Sequence, residues 1–253
     1  MLARSAPVTP PLVLLHAFPF DSRLFEAARP ALIDHVELIT PDLRGFGNGP
    51  ALGNPPPEPD LTLLAEDVIV RLDELGIDQA IIGGVSMGGY VALALLRDHP
   101  DRVAGLVLID TRSGADDAAA LDRRRLAAER ADDGEIATGS EAITPLIAHP
   151  TPAAIRAELA SIAGSVPAAS IAWAQRAMAA RPDSTQVLAG STVPVLVVVG
   201  EHDAVTPPSA AAQMADAADN AELVQLPGVG HLSPAEDPAG FASMLISWLT
   251  RHF

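Results

Sequence analysis

Cysteine is absent from the 253 residues, and so is lysine. Without a thiol the chain has no disulfide, no thiolate nucleophile and no thiolate metal site. All 16 basic side chains are arginines, set against 32 acidic ones, for a formal net charge of −16. A surface of that sign repels phosphate backbones and anionic headgroups, so neither nucleic acid nor a membrane surface is expected as a partner. The acidic residues are spread along the chain and not gathered in a tail, the pattern of a solvated surface. No apolar run approaches the ~20 residues of a membrane span. The apolar stretch Pro11–Leu15, beyond Arg4, is too short for a signal-peptide core and reads as a strand; a soluble, cytoplasmic protein is the expectation.

The hydrophobic content is 49%, ample for a large core, and the length suits a single α/β domain. Short, continuous apolar runs alternate with helical patterns. Strands are expected at Leu12–His16, His35–Thr40, Gln79–Val85, Arg102–Asp110, Val193–Gly200 and Ala221–Gly228. Helices are expected from Ser22 to Ile33, from Leu61 to a C-cap at Gly76, from Gly88 to Asp98 and, closing the chain, from Asp237. Strands buried on both faces and alternating with helices imply a parallel sheet covered by helices on both sides. A loop dense in glycine and proline spans Pro41–Asp60. Between Asp110 and Val193 the alternation breaks. That stretch has no strand pattern and reads as helices at Ala118–Ala131, Pro152–Ala163 and Pro167–Ala180. An insertion there sits over one end of the sheet; at the carboxyl end it covers the place where open α/β sheets bind ligands. The expected division is a core of residues 1–112 and 185–253 with a helical cap of residues 113–184.

One stretch carries chemistry. Gly84-Val85-Ser86-Met87-Gly88 stands between an apolar strand and a helix, which is the context of a G-x-S-x-G nucleophile elbow. The turn is sharp enough that glycine is needed on both sides. It presents the hydroxyl at a helix N-terminus, where backbone N–H groups and the helix dipole favour an anion. A helix-capping serine in a glycine turn would share this local pattern. Two later stretches separate the two readings: "VVVGEHD" puts Asp203 just after the fifth strand, and "LPGVGHLSPAEDP" puts His231 in a glycine loop after the sixth. Their order, Ser86, Asp203, His231, is that of a hydrolase triad.

With these residues the sequence resembles the α/β-hydrolase family over nearly its whole length. "LLHAFPFDSRLF", "PDLRGFGNG", "GVSMGGYVAL", "GEHDAVTP" and "GHLSPAEDP" fall in family order and spacing. The resemblance implies an acyl-enzyme on Ser86, with His231 as general base and Asp203 orienting it. It also implies an oxyanion hole made by the backbone N–H groups of Met87 and Phe18. Ala17 departs from the family, which has glycine there; a positive φ at that position would strain it. Asp110, at the end of the fourth strand, is the rival for the acid, since in some relatives the acid sits there. Serine as nucleophile sets aside the branches that use aspartate. A small carboxylic ester or lactone is the expected substrate, with no cofactor and no metal. The resemblance leaves open a cofactor-free haloperoxidase or perhydrolase, a C–C bond hydrolase, or a ligand-binding protein without catalysis. Phe18, Phe20, Trp173 and Met178 are candidate pocket walls. His16 reads as structural, and Asp42 with Arg44 as a loop ion pair. The family's usual antiparallel strand pair before the first parallel strand is expected to be missing. That leaves His35–Thr40 at an open edge, where a homodimer is a further expectation.

Overall fold

A computed structural model describes residues 9–53, 59–137 and 139–253. The strands are β1 (Leu12–Leu15), β2 (Leu38–Ile39), β3 (Ala80–Val85), β4 (Val103–Ile109), β5 (Val195–Gly200) and β6 (Ala221–Leu226). They form one six-stranded sheet, parallel throughout, in the order β2-β1-β3-β4-β5-β6. A 3-10 turn (Ser22–Phe25) and the short α1 (Arg29–Leu32) link β1 to β2. Next, α2 (Thr62–Glu74) leads to β3 and α3 (Met87–Asp98) to β4. Between β4 and β5 come α4 (Ala118–Asp132), α5 (Gly139–Ile143), α6 (Ala153–Ala163), α7 (Ala168–Ala180) and α8 (Thr185–Ala189). After β5 follow α9 (Pro208–Ala217), then, beyond β6, α10 (Ser233–Glu236) and α11 (Pro238–His252).

The strands bury both faces, and their side chains alternate between two apolar clusters, as a period of two requires. Val13, Leu15, Val195, Val197 and Val199 point to the face covered by α2, α3, α8 and α9. Leu12, Leu14, Leu196 and Val198 point to the other, with Phe25, Phe241 and Trp248. The chain leaves β1 for the edge strand β2 and returns on the other side of β1 to β3. Strand order therefore reverses between β1 and β3, and ligands of open α/β sheets bind at the carboxyl ends of the strands at such a reversal. Residues 16–18 and Ser86 follow directly from those two strand ends.

The six parallel strands with β2 at an edge agree with the sequence reading. The helix expected from Ser22 to Ile33 does not. It splits into the 3-10 turn, whose start Asp21 caps by accepting the Arg23 N–H at 3.0 Å, and α1, which has Pro30 in its first turn. A proline has no N–H to give and its ring crowds the preceding turn, so one helix does not run through it. The edge strand pairs only at Leu38 and Ile39. The prolines before α6 and α7 precede the first helical residue instead of occupying it. Helix α9 was absent from the sequence reading, although Pro208 at its first position signals a helix start. The expectation for the N-terminus falls largely on residues 1–8, outside the described residues; Thr9–Pro11 belong to no strand. Residues 54–58 of the proline-rich loop also lie outside them.

Candidate active site

The elbow follows from glycine geometry. Ser86 has φ 52° and ψ −110°, a left-handed conformation that side chains rarely adopt. A Cβ on Gly84 would lie 2.1 Å from the Gly88 carbonyl group, and one on Gly88 would lie 2.2 Å from the Leu15 carbonyl oxygen. The second glycine thus lets α3 approach β1, where the sequence suggested only a mutual clash across the turn. The Ser86 N–H donates to Ile109 O at 2.9 Å, and the Thr111 hydroxyl donates to Ser86 O at 2.8 Å. Ser86 itself stays half-exposed at the N-terminus of α3.

Ser86, His231 and Asp203 come together in a line. His231 Nε2 lies 2.9 Å from Ser86 Oγ, and His231 Nδ1 lies 2.8 Å from Asp203 Oδ2. With Nδ1–H donated to the carboxylate, Nε2 is left to accept the serine proton. Asp203 Oδ1 accepts the N–H groups of Val205 and Thr206 at 2.8 and 2.9 Å, and Oδ2 accepts the Thr206 hydroxyl at 2.8 Å. Burial pushes the Asp203 carboxyl up, but its bond to His231, that residue's charge and the Thr206 donors outweigh burial and hold it below the usual carboxylate range. Thr206 was missed in the sequence reading.

Asp110 makes no hydrogen bond to His231. It is fully buried, with φ 45°, the only non-glycine residue besides Ser86 at positive φ among the described residues. Its Oδ1 accepts the Gly200 N–H and its Oδ2 the Ser233 N–H, both at 2.9 Å. The His231 loop has a further support that the sequence did not reveal. The Glu236 carboxylate accepts the N–H groups of Gly230 and Leu232 on the loop and, on the insertion, the Ala148 N–H and the Thr151 hydroxyl, at 2.7 to 3.2 Å. The His231 N–H itself donates to Leu146 O at 2.9 Å.

On the β1 side, His16 is fully buried. Its Nε2 accepts the Leu43 N–H at 3.0 Å, so its Nδ1 carries the proton and donates to Ala17 O at 3.0 Å. Burial lowers its pKa, in keeping with a neutral ring. The same Ala17 carbonyl also accepts the Phe20 N–H at 2.9 Å. The peptide plane between Ala17 and Phe18 is thereby fixed, and with it the direction of the Phe18 N–H. Ala17 is not at positive φ, so alanine carries no strain there. Among the described residues neither the Phe18 nor the Met87 N–H is donated to a protein acceptor.

The candidate pocket walls divide. Phe18 and Pro19 line a cavity of about 220 Å³ with Ala127 and Arg130 of α4, Ala142 of α5, Leu146, and Ile171 and Gln175 of α7. Trp173 and Met178 are buried in the same apolar cluster as Met87. Phe20 is not a wall: it is wholly buried in the opposite cluster with Leu24 and Phe25, a packing position beneath the loop. Two wider clefts, of about 840 and 580 Å³, open beside residues 41–53; none of Ser86, Asp203 and His231 lines any of these three spaces, and the 220 Å³ cavity borders the site through Phe18 and Leu146. The expected Asp42–Arg44 ion pair is not formed. Asp42 instead accepts the N–H groups of Ser22 and Asn48, both at 2.7 Å, because the Gly45–Gly49 turn folds back onto it. Arg44 reaches Asp67 on α2, its Nε donating at 2.7 Å. His202 is exposed and turned away from the triad. Among the described residues no cluster of three or more His, Cys, Asp or Glu is placed to hold a metal ion.

A half-buried serine on a strained strand–helix turn, in line with a buried histidine and carboxylate, defines a class: parallel-sheet α/β proteins with a serine–histidine–acid site. The family model described as alpha/beta hydrolase fold matches residues 10–238, and the chain belongs to that family. It is 31% identical to a pimeloyl-[acyl-carrier protein] methyl ester esterase of Aromatoleum aromaticum, over 91% of this chain and 95% of that one. Among solved structures it is similar to a thermophilic esterase from Thermogutta terrifontis, with a TM-score of 0.89 and 35% identity over 97% of this chain and 92% of that one. It is also similar to the enol-lactonase from Burkholderia xenovorans, with a TM-score of 0.82 and 25% identity over 95% and 92%.

Proposed function

We infer that this protein is a hydrolase acting on ester bonds, and we propose that it cleaves small carboxylic esters or lactones through an acyl-enzyme on Ser86. The observation that carries the reading is the Ser86 Oγ–His231 Nε2–Asp203 alignment at 2.9 and 2.8 Å. His231 takes the serine proton as Oγ attacks the ester carbonyl. Asp203 holds the ring orientation and stabilises the imidazolium. The Phe18 and Met87 N–H groups, which have no protein acceptor among the described residues, receive the oxyanion. His231 then protonates the departing alkoxide, and water, deprotonated by the same histidine, releases the acid and restores Ser86.

In this reading residues 113–184 are the lid and the cavity of about 220 Å³ takes the apolar part of the substrate. Its wall joins the site on two sides, through Phe18 and through Leu146, which holds the His231 N–H. At about 220 Å³ it is small beside the ~300–1,000 Å³ of drug-sized sites. That favours short to medium chains. The similarity to an esterase and an enol-lactonase supports ester and lactone substrates. The cytoplasmic location is part of the same proposal; among the described residues no helix is long and apolar enough to cross a membrane.

The test is a series of p-nitrophenyl esters from acetate to dodecanoate, with fluorophosphonate labelling of Ser86. Labelling, a burst of nitrophenol and a preference for the shorter half of the series are expected. Ile171→Ala should move the optimum to longer chains. No labelling of the folded parent would leave a ligand-binding protein as the better reading, and a perhydrolase would show itself by peroxide-dependent halide oxidation exceeding ester hydrolysis.

A further inference from the structure

Three consecutive residues outside the triad, Ile109, Asp110 and Thr111, bond to the backbone at Ser86 and to the backbone within three residues of Asp203 and of His231. Ile109 O accepts the Ser86 N–H at 2.9 Å. The Thr111 hydroxyl donates to Ser86 O at 2.8 Å. Between them, Asp110 sends one carboxylate oxygen to the Gly200 N–H, at the strand end from which Asp203 follows, and the other to the Ser233 N–H, two residues beyond His231. The strand end and the histidine loop meet back to back here. A Cβ on Gly200 would stand 2.0 Å from the Gly230 carbonyl oxygen. Asp110 bridges two pieces of backbone that already approach as closely as glycine allows.

The segment is costly to build. Asp110 sits fully buried, a position that penalises a carboxylate. It also adopts φ 45°, a conformation that non-glycine residues avoid and that persists where surrounding structure imposes it. Its backbone N–H continues the β4–β5 ladder by donating to Val198 O at 2.9 Å, so the turn comes directly off the sheet. Packing alone would be served by an apolar residue. What an apolar residue lacks is two acceptor oxygens aimed at two different loops.

We propose that Ile109–Thr111 is a positioning clamp for the triad, with Asp110 setting the separation of the acid and base loops and Thr111 fixing the nucleophile's peptide. The inference rests on the reading of Ser86 as nucleophile. Neither Asp110 nor Thr111 touches the reacting atoms; both act through the backbone that carries them. The clamp governs the reaction step and leaves the substrate cavity unchanged, so its loss lowers kcat and not affinity.

The test compares Asp110→Asn, Thr111→Val and Thr111→Ser with the parent, each folded by circular dichroism. The readouts are kcat, KM for one short p-nitrophenyl ester, and the second-order rate of fluorophosphonate labelling. Asp110→Asn keeps the shape but offers only one acceptor, against two N–H donors. It should lower kcat and the labelling rate together by about 10- to 100-fold, the scale of an ångström of misplacement, with KM within twofold. Thr111→Val should lower both by about three- to tenfold, the rate equivalent of one hydrogen bond, and Thr111→Ser should restore them. Two results would overturn the clamp: parent-like kcat and labelling in Asp110→Asn and Thr111→Val, or a raised KM at unchanged kcat. If Asp110→Asn does not fold, the two threonine variants decide alone. A parent that is never labelled refutes the nucleophile reading instead, so the two failures are distinct.

Discussion

Asp203 and Asp110 are both buried beside the His231 loop, and their surroundings move them in opposite directions. For Asp203 the hydrogen bonds to His231 and Thr206 outweigh burial, and its pKa is lowered. For Asp110 burial dominates: the two backbone donors and the His231 charge do not offset it, the Asp203 charge adds to it, and its pKa rises from 3.8 to about 6. A depressed carboxylate contributes stability above its unfolded pKa and loses it as pH falls through the folded value. A raised one does the reverse: its contribution is fully present below the unfolded value and is lost as pH rises through about 6. A rise of about two units corresponds to ~3 kcal/mol. Urea titrations from pH 4 to 7 should therefore show the parent losing ~2.4 kcal/mol more across that window than Asp110→Asn, most of the full difference; parallel curves would mean that Asp110 carries no such penalty. Activity should sort the two aspartates the other way. Asp203→Asn should lower kcat by ~10⁴, as expected when an imidazole loses its orienting acid, while Asp110→Asn should stay within the range of a positioning residue. If Asp110→Asn proves the more damaging in folded protein, the acid of the triad is Asp110 and not Asp203.

The insertion between β4 and β5 is fastened to the histidine loop through the segment between α5 and α6. Leu146, Ala148 and Thr151 lie between α5 and α6, and all three bond to the loop or to Glu236 at its end. Glu236→Gln keeps the size but leaves one acceptor oxygen where two served three N–H groups and shared the Thr151 hydroxyl proton with Ala148 O. Hydrogen bonds to a charged group contribute ~1.5–3 kcal/mol each, so a loss of at least ~2 kcal/mol is expected, with faster amide exchange at Ala148, Gly230 and Leu232. Unchanged protection at those amides would mean that the Leu146 bond suffices to hold residues 146–151 to the histidine loop. No sequence pattern marks Glu236 or Asp110 for this work, because each serves backbone groups far away in the chain that meet only once the sheet has formed. The strands were legible because a parallel sheet buries both faces and writes itself as short apolar runs. The elbow was legible because a strained turn needs glycines at fixed spacing. The helix expected over residues 22–33 misled because its composition is helical on both sides of Pro30, and β2 shrank to two residues because edge pairing depends on how far the loop after Ile39 leaves β1.

For the whole molecule, two properties bear on what it meets. The sheet has open edges at β2 and β6, and a dimer paired through β2 remains a proposal; two paired residues offer a short template, and sedimentation at micromolar concentration decides, a monomer removing it. The second property is charge. At −16 the molecule repels anions over a distance set by salt, ~30 Å at 0.01 M and ~3 Å at 1 M. At the cavity wall Arg130 faces Glu135 at 3.6 Å, both more than half exposed, so the local cation is largely offset and contributes little. The global field should then govern approach. For two esters matched in size, one neutral and one bearing a distal carboxylate, kcat/KM should favour the neutral ester at low salt. The ratio should fall toward that of the bare chemistry as salt rises, with kcat for each unchanged. An anionic ester preferred at low salt would mean that Arg130 outweighs the net charge, and that the cavity is built to receive a substrate with a negative end.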